Sequence, residues 1–285
     1  MKYVLADIGI EVNLKYELAI RRMKDYQSEF GGTHIRINIE YDNNIQLPPY
    51  MRRTVAKFNY NWLEFENGDF GVYRKSAPDY VSAFARWNKD ATELTLKLAD
   101  VSSTNGYPMD FREFSYIGEL LQIILPYHGR TVLHSSAIEL DGHGIAFSAP
   151  SGTGKSTHTT MWRGMFENCK AINDDTPIIY NNGKGFLLCG SPWSGKTEIN
   201  ANICAPLDAV VCIYQDRENH IEKISPRVSM PLLFNEIRAS AFAEREDLKF
   251  SILTDLLSTT DIYRLGCLPN EEAVITCKEK IWKEL

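Results

Sequence analysis

The sequence predicts an α/β fold with a smaller, strand-rich α+β region ahead of it, and three observations predict it. From about residue 131 onward, short apolar runs alternate with helical patterns. Before about residue 105, strand patterns follow one another with turn residues between them. One long amphipathic stretch, bounded by Pro108 and Pro126, separates the two. The 285 residues suffice for a strand-rich domain at 1–105 and a catalytic domain at 106–285.

In the first region Asn67-Gly68-Asp69 lies between Trp62–Phe65 and Phe70–Tyr73, a hairpin signal. Residues 80–88 and 92–98 form a second pair, joined through Asn88-Lys89-Asp90. Phe58, Tyr60, Trp62, Phe65, Phe70, Tyr73, Tyr80, Phe84 and Trp87 are dense here. Their alternation along short strands reads as sheet core rather than as a stacking platform. The stretch 108–126 reads as a helix, with Phe114, Ile117, Leu120, Leu121 and Ile124 on one stripe. It is expected to pack on the main sheet and join the two regions.

Residues 131–138 read as one strand, and the turn Asp141-Gly142-His143-Gly144 leads into another at 145–148. Further strands are expected near 170–173, 177–180, 185–189 and 209–214, and helices at 231–243 and 246–257. A short strand and a helix close the chain around 262–283. The net charge of -6, without a Lys/Arg cluster, argues against nucleic acid as a partner. No apolar run reaches the roughly 20 residues of a membrane helix, and Asp7 comes too early for a secretion signal. A cytoplasmic location without membrane contact is expected. The six cysteines form no CxxC pair, which speaks against zinc, and most of them, in apolar surroundings, read as buried thiols.

Two segments compete as phosphate loops. Gly190-Ser191-Pro192-Trp193-Ser194-Gly195-Lys196-Thr197 matches G-x-x-x-x-G-K-[ST] in full, whereas Ala149 stands where 149–156 should have its first glycine. A phosphate loop works through inward-facing backbone N–H groups with a helix N-terminus directly behind them. Only 149–156 follows a strand and precedes a proline-free helical stretch, Lys155 to Phe166. ATP is therefore placed on Ser151, Gly152, Thr153, Gly154, Lys155, Ser156 and Thr157. Lys155 can reach the β- and γ-phosphates, and the Ser156 hydroxyl can ligate Mg²⁺. The acids Asp174-Asp175 stand alone as a charged turn before Pro177. With a phosphate loop roughly 20 residues earlier, they read as metal ligand and base. Residues 170–173 are expected to pair with the phosphate-loop strand. His134, alone in a strand, reads first as a core residue, and His158 as a helix residue able to approach the loop.

The order of His134, Ser151-Gly152-Thr153-Gly154-Lys155-Ser156 and Asp174-Asp175 resembles the catalytic domain of HPr kinase/phosphorylase. It also resembles the P-loop core of ATP-dependent phosphoenolpyruvate carboxykinase, which shares that fold. A closer likeness is to bacterial HPr-kinase-like proteins often associated with peptide-modification systems. It rests on Met109-Asp110-Phe111-Arg112-Glu113-Phe114, Leu133-His134-Ser135-Ser136 and Gly190 to Lys196, and spans roughly 108–280.

The resemblance implies an ATP- and Mg²⁺-dependent kinase. Asp174 would be the base toward the acceptor, supported by His134, and Asp175 would lie near the metal. Lys155, with Lys196, would stabilise the transferring phosphoryl. A peptide or protein serine or threonine is the acceptor it suggests, and it leaves a homo-oligomer open. Thr157 replaces the family's glutamate and no Glu-Ile-Arg-Gly segment follows, which argues against HPr itself as substrate and against phosphorolysis. A nucleotide-binding accessory or sensor protein and a small-molecule kinase stay open beside the protein kinase.

Overall fold

The computed structural model describes residues 1–29, 34–49, 51–57, 60–100, 107–237 and 243–283. Phe58 lies outside them. The fold is mixed α/β, and the chain divides into two compact units. Met1–Tyr127 forms most of the first, and His128–Arg238 with Asp247–Leu285 forms the second.

The first unit runs β1 (Lys2–Leu5), β2 (Ile8–Val12), α1 (Glu17–Met23), β3 (Ile35–Tyr41), β4 (Met51–Lys57), β5 (Tyr60–Phe65), β6 (Phe70–Ala77), β7 (Tyr80–Trp87), β8 (Glu93–Leu98) and α2 (Met109–Ile124). Its sheet is ordered β1-β2-β3-β8-β7-β6-β5-β4. β3 lies parallel to both neighbours, while the other pairs are antiparallel. Both expected hairpins form, and Trp62, Phe65, Phe84 and Trp87 are buried in the sheet core.

The helix α2 belongs to this first unit, so the division falls at 127/128 rather than near residue 105. Its Leu120 and Ile123 line a small cavity with Ala83, Ala85 and Leu96 of the sheet. The buried Glu113 carboxylate accepts the N–H groups of Lys15 and Tyr16 ahead of α1, and the Tyr41 hydroxyl. Those donors satisfy an otherwise costly buried charge.

The second unit runs β9 (Arg130–Val132), β10 (Ser135–Leu140), β11 (His143–Ser148), α3 (Lys155–Met165), β12 (Cys169–Asn173), β13 (Ile178–Asn181), β14 (Phe186–Cys189), β15 (Cys204–Gln215), β16 (His220–Lys223), α4 (Pro226–Phe234), α5 (Ala243–Thr259, in this unit from Asp247 onward), β17 (Asp261–Cys267) and α6 (Glu271–Lys283). The expected strand at 131–138 is two strands. β9 pairs with β13, and β10 pairs with β11 and β12. The break falls at Leu133-His134. There, three successive N–H groups leave for three partners, the carbonyls of Pro177, Glu236 and Asp175.

β12 pairs with β10 rather than with β11, so one strand separates the acid pair from the strand that feeds the glycine loop. β15 is the axis of the sheet. Its start pairs antiparallel with β14, and its remainder lies parallel to β11 and β17. Alternate side chains fill opposite cores. Ala146 and Val210 face Leu253 and Leu256, while Phe147 and Val211 face Trp162 and Ile281. A strand covered on both faces reads as a continuous apolar run, which is why β11 shows no polar alternation.

Cys189 and Cys204 face each other across β14 and β15, with Cα atoms 4.1 Å apart, and form a disulfide. The expectation of buried free thiols therefore fails for this pair, because direct cross-strand register was not visible locally. Cys169, Cys212, Cys267 and Cys277 are free. Burial pushes the Cys169 thiol up to about 11 and Cys212 to about 12, so both stay protonated. No helix among the described residues is long and apolar enough to cross a membrane.

Candidate phosphate-binding and acid–base site

The segment 149–154 leaves β11 and turns directly into α3. Gly152 (φ 83°) and Gly154 (φ 119°) take left-handed backbone angles that side chains disfavour. Gly154 is the N-cap of α3, and the first N–H groups of a helix have no partner within it. Within the loop the Thr153 N–H donates to the Pro150 carbonyl, which leaves the N–H groups of the first turn of α3, with the helix dipole behind them, as the donors suited to an anion.

Lys155 is 7% exposed, and its Nζ donates to the Ala149 carbonyl at 2.6 Å. Burial pulls its pKa down, and the carboxylates of Glu236, Asp175 and Asp174 oppose that shift. His134 lies beside it. Its Nδ1 is 2.7 Å from Glu236 Oε2, while its Nε2 sits 3.3 Å from Lys155 Nζ and 3.4 Å from Asp175 Oδ1. The hydrogen bond to Asp175 raises the histidine pKa most, against burial and the Lys155 charge, with Glu236 adding to the rise. With Nδ1–H donated to Glu236, Nε2 can exchange a proton with a neighbour.

The two acids differ. Asp174 is buried, and its Oδ1 accepts the Ser136 hydroxyl at 2.6 Å, which in turn meets Thr159 of α3 at 2.8 Å. The side chain of Asp175 is 37% exposed and makes the contact with His134. The expected partnership of His134 with Asp174 is thus replaced by one with Asp175.

Asn173 stabilises the turn between them. Its Oδ1 accepts the N–H groups of Asp175 and Thr176, and its Nδ2 donates to the carbonyls of Ser191 and Trp193. Those bonds bring the second glycine-lysine loop to the acids. A methyl group at Gly195 would stand 3.1 Å from the Asp175 Cβ, and Lys196 next to it is exposed. Ser151, Ser156 and Thr157 are exposed at the loop and helix start, with Thr153 half-buried.

His158 is engaged with the apolar core beneath the helix. It accepts a hydrogen bond from Trp162 at 3.0 Å and packs against Phe147, and burial lowers its pKa to about 4. It nevertheless lines a cavity of ≈ 420 Å³ shared by Gly152, Gly154, Tyr214, Gln215 and Pro269. That volume is in the range of small-molecule sites.

Glu236 was invisible to sequence reasoning. It sits 102 residues from His134, just past α4, with no motif around it. Among the described residues no group of three or more His, Cys, Asp and Glu is gathered as a metal cage. No protein-family model matches the sequence, and no curated protein matches it. Among solved structures, the Hpr(Ser) kinase/phosphatase from Coxiella burnetii overlaps 54% of this chain and 94% of its own, at 9% identity and a TM-score of 0.32. That overlap assigns no residue a role.

Proposed function

We propose that the second unit is a P-loop phosphotransferase, which binds ATP with Mg²⁺ and passes the γ-phosphoryl group to a hydroxyl on a peptide or protein serine or threonine. The observation that carries this reading is Lys155. It is a buried ammonium at the start of α3, behind the glycine turn and beside His134, Asp174, Asp175 and Glu236. Backbone donors and one lysine at a helix start suit phosphate oxygens, and the cavity along β15 and β17 suits the nucleoside.

The charge balance supports a divalent cation. Three carboxylates face one ammonium and one imidazole, so a polyphosphate would meet net repulsion without one. Mg²⁺ commonly takes only one or two carboxylates, with phosphates and water completing its shell, so a preformed cage is not required. When bound, it neutralises phosphate oxygens and eases departure of the leaving oxygen.

Burial and hydrogen bonding favour a division of labour opposite to the one the family resemblance implied. Asp174, buried and oriented by Ser136, would hold the metal with Ser156. Asp175, more exposed and in contact with His134, which Glu236 holds from its other nitrogen, would take the acceptor's proton as the acceptor oxygen bonds to the γ-phosphorus and the bond to ADP breaks. Lys196, carried next to Asp175, would steer negative charge.

The test is a titration with ATP and Mg²⁺, then incubation with γ-labelled ATP and serine- or threonine-containing peptides. Asp175→Asn should keep nucleotide affinity and lower transfer by roughly 10²- to 10⁴-fold. Undiminished transfer by that variant would remove Asp175 from the base role. Binding with no labelling of any acceptor would favour an accessory nucleotide sensor.

A further inference from the structure

We infer that the first unit contains a recognition pocket for a carboxylate carried next to an aromatic or apolar side chain, as at the C-terminus of a peptide. The pocket has ≈ 510 Å³ and lies between the first turns of α2 and the strands β6 and β7. Three cationic side chains, Arg74, Lys75 and Arg112, line it, against one carboxylate, Glu119.

The cations are not equivalent. Arg74 has Glu119 at 3.8 Å and lies over the Tyr60 ring, and Lys75 donates to the Pro78 carbonyl at the surface. Arg112 is only 4% exposed, and no carboxylate pairs with it among the described residues. Its Nη2 donates to the Ser82 carbonyl at 2.9 Å, while its Nη1 is buried without an acceptor.

A buried guanidinium with no counter-charge and one amino group left without an acceptor is destabilising, and native proteins rarely leave one so. Because Arg74 is already compensated by Glu119, the pocket holds one uncompensated buried charge, which calls for a monoanion. A planar carboxylate matches the guanidinium fork in shape and charge. The hydroxyls of Ser76 and Ser115 add polar lining. On the rim, Tyr107 and Phe111 are stacked with centroids 5.2 Å apart and are 57% and 44% exposed, an apolar surface for the group beside the carboxylate. None of this involves the glycine loop or its acids, so the inference is independent of the nucleotide reading.

Full-length protein would be titrated with N-acetyl-phenylalanine, its uncharged amide and N-acetyl-alanyl-phenylalanine, with heat or NMR shifts as readout. Saturable binding of the acid is expected at millimolar affinity or better, at least about tenfold tighter than the amide. Binding of the dipeptide as tight as the free acid or tighter would support a peptide terminus, and rejection of it would overturn that source.

Arg112→Lys, which keeps the charge and loses the fork, should weaken the acid about tenfold. Phe111→Ala, at an exposed position that leaves the core intact, should weaken it several-fold. Equal binding of acid and amide, affinity unchanged in both variants, or no saturation at about 10 mM would each overturn the pocket. Preferential binding of phenyl phosphate would overturn the carboxylate assignment. If Arg112→Lys fails to fold, Phe111→Ala decides.

Discussion

Residues 149–156 and 190–197 both end in Gly-Lys and a hydroxyl residue, yet the fold treats them oppositely. The first leaves β11, which is buried on both faces, and runs straight into the eleven-residue α3. The second leaves β14 and ends in a turn, with no helix before β15. The element directly behind the motif decides its chemistry. A helix start gives the first loop aligned donors, whereas the second is fastened by Asn173 and Thr176 into a wall beside Asp175. The fuller match to the motif belongs to the loop with no helix behind it.

The sharpest way to break this contrast is to remove each lysine. Lys155→Met should weaken Mg-ATP binding about 100-fold or more in equilibrium titration, while Lys196→Met should change it less than about threefold. Equal losses would erase the distinction. The second loop can be challenged through packing instead. A methyl at Gly190 would stand 1.8 Å from the Ala201 carbonyl oxygen, so Gly190→Ala should cost about 4 kcal/mol of unfolding free energy in denaturant melts. A cost under about 1 kcal/mol would mean that the wall yields.

The support behind the first loop responds to acid. His158 is buried, with its pKa lowered from 6.5 to about 4, so the protein holds it neutral. Its contribution is complete above pH 6.5 and is lost as pH falls toward 4, on the order of 3 kcal/mol. His158→Phe should flatten the acid limb of stability against pH, and an unchanged limb would refute that role. The second loop answers to reduction, because the disulfide Cys189–Cys204 joins its ends across a separation of 15 residues. Cys204→Ser should lower stability by about 2 to 3 kcal/mol under oxidising conditions, with little effect on nucleotide affinity. A stability identical to that of the parent would show that the paired strands already fix the loop.

Much of this was legible locally. The apolar run of β11, Gly152, Gly154 and a proline-free helical stretch marked the first loop and α3 without any long-range information. The hairpins around Gly68 and Asn88 were equally plain, being set by turn residues. Partnerships fixed by register were hidden. Glu236 meets His134 only because the chain past α4 pairs with Leu133, and β12 settles beside β10. The expected single strand at 131–138 concealed the break that exposes His134 to two carboxylates, since a change of hydrogen-bond partner leaves no trace in hydropathy.

β15 carries one more consequence, for the order in which the second unit is assembled. Its first residues join β14 across a short span, with Cys204 opposite Cys189, whereas Ala209 onward waits for β17, where Ala209 meets Asp261. Closing the shorter connection costs less chain entropy, so the antiparallel corner should lock first and present a straight template to its later parallel neighbours. Pulse-labelled hydrogen exchange during refolding should protect amides at 204–206 before those at 209–215; the reverse order would locate the nucleus in the parallel half. On this route the strand that borders the glycine loop's own strand is seeded from its opposite edge, where β14 pairs with it.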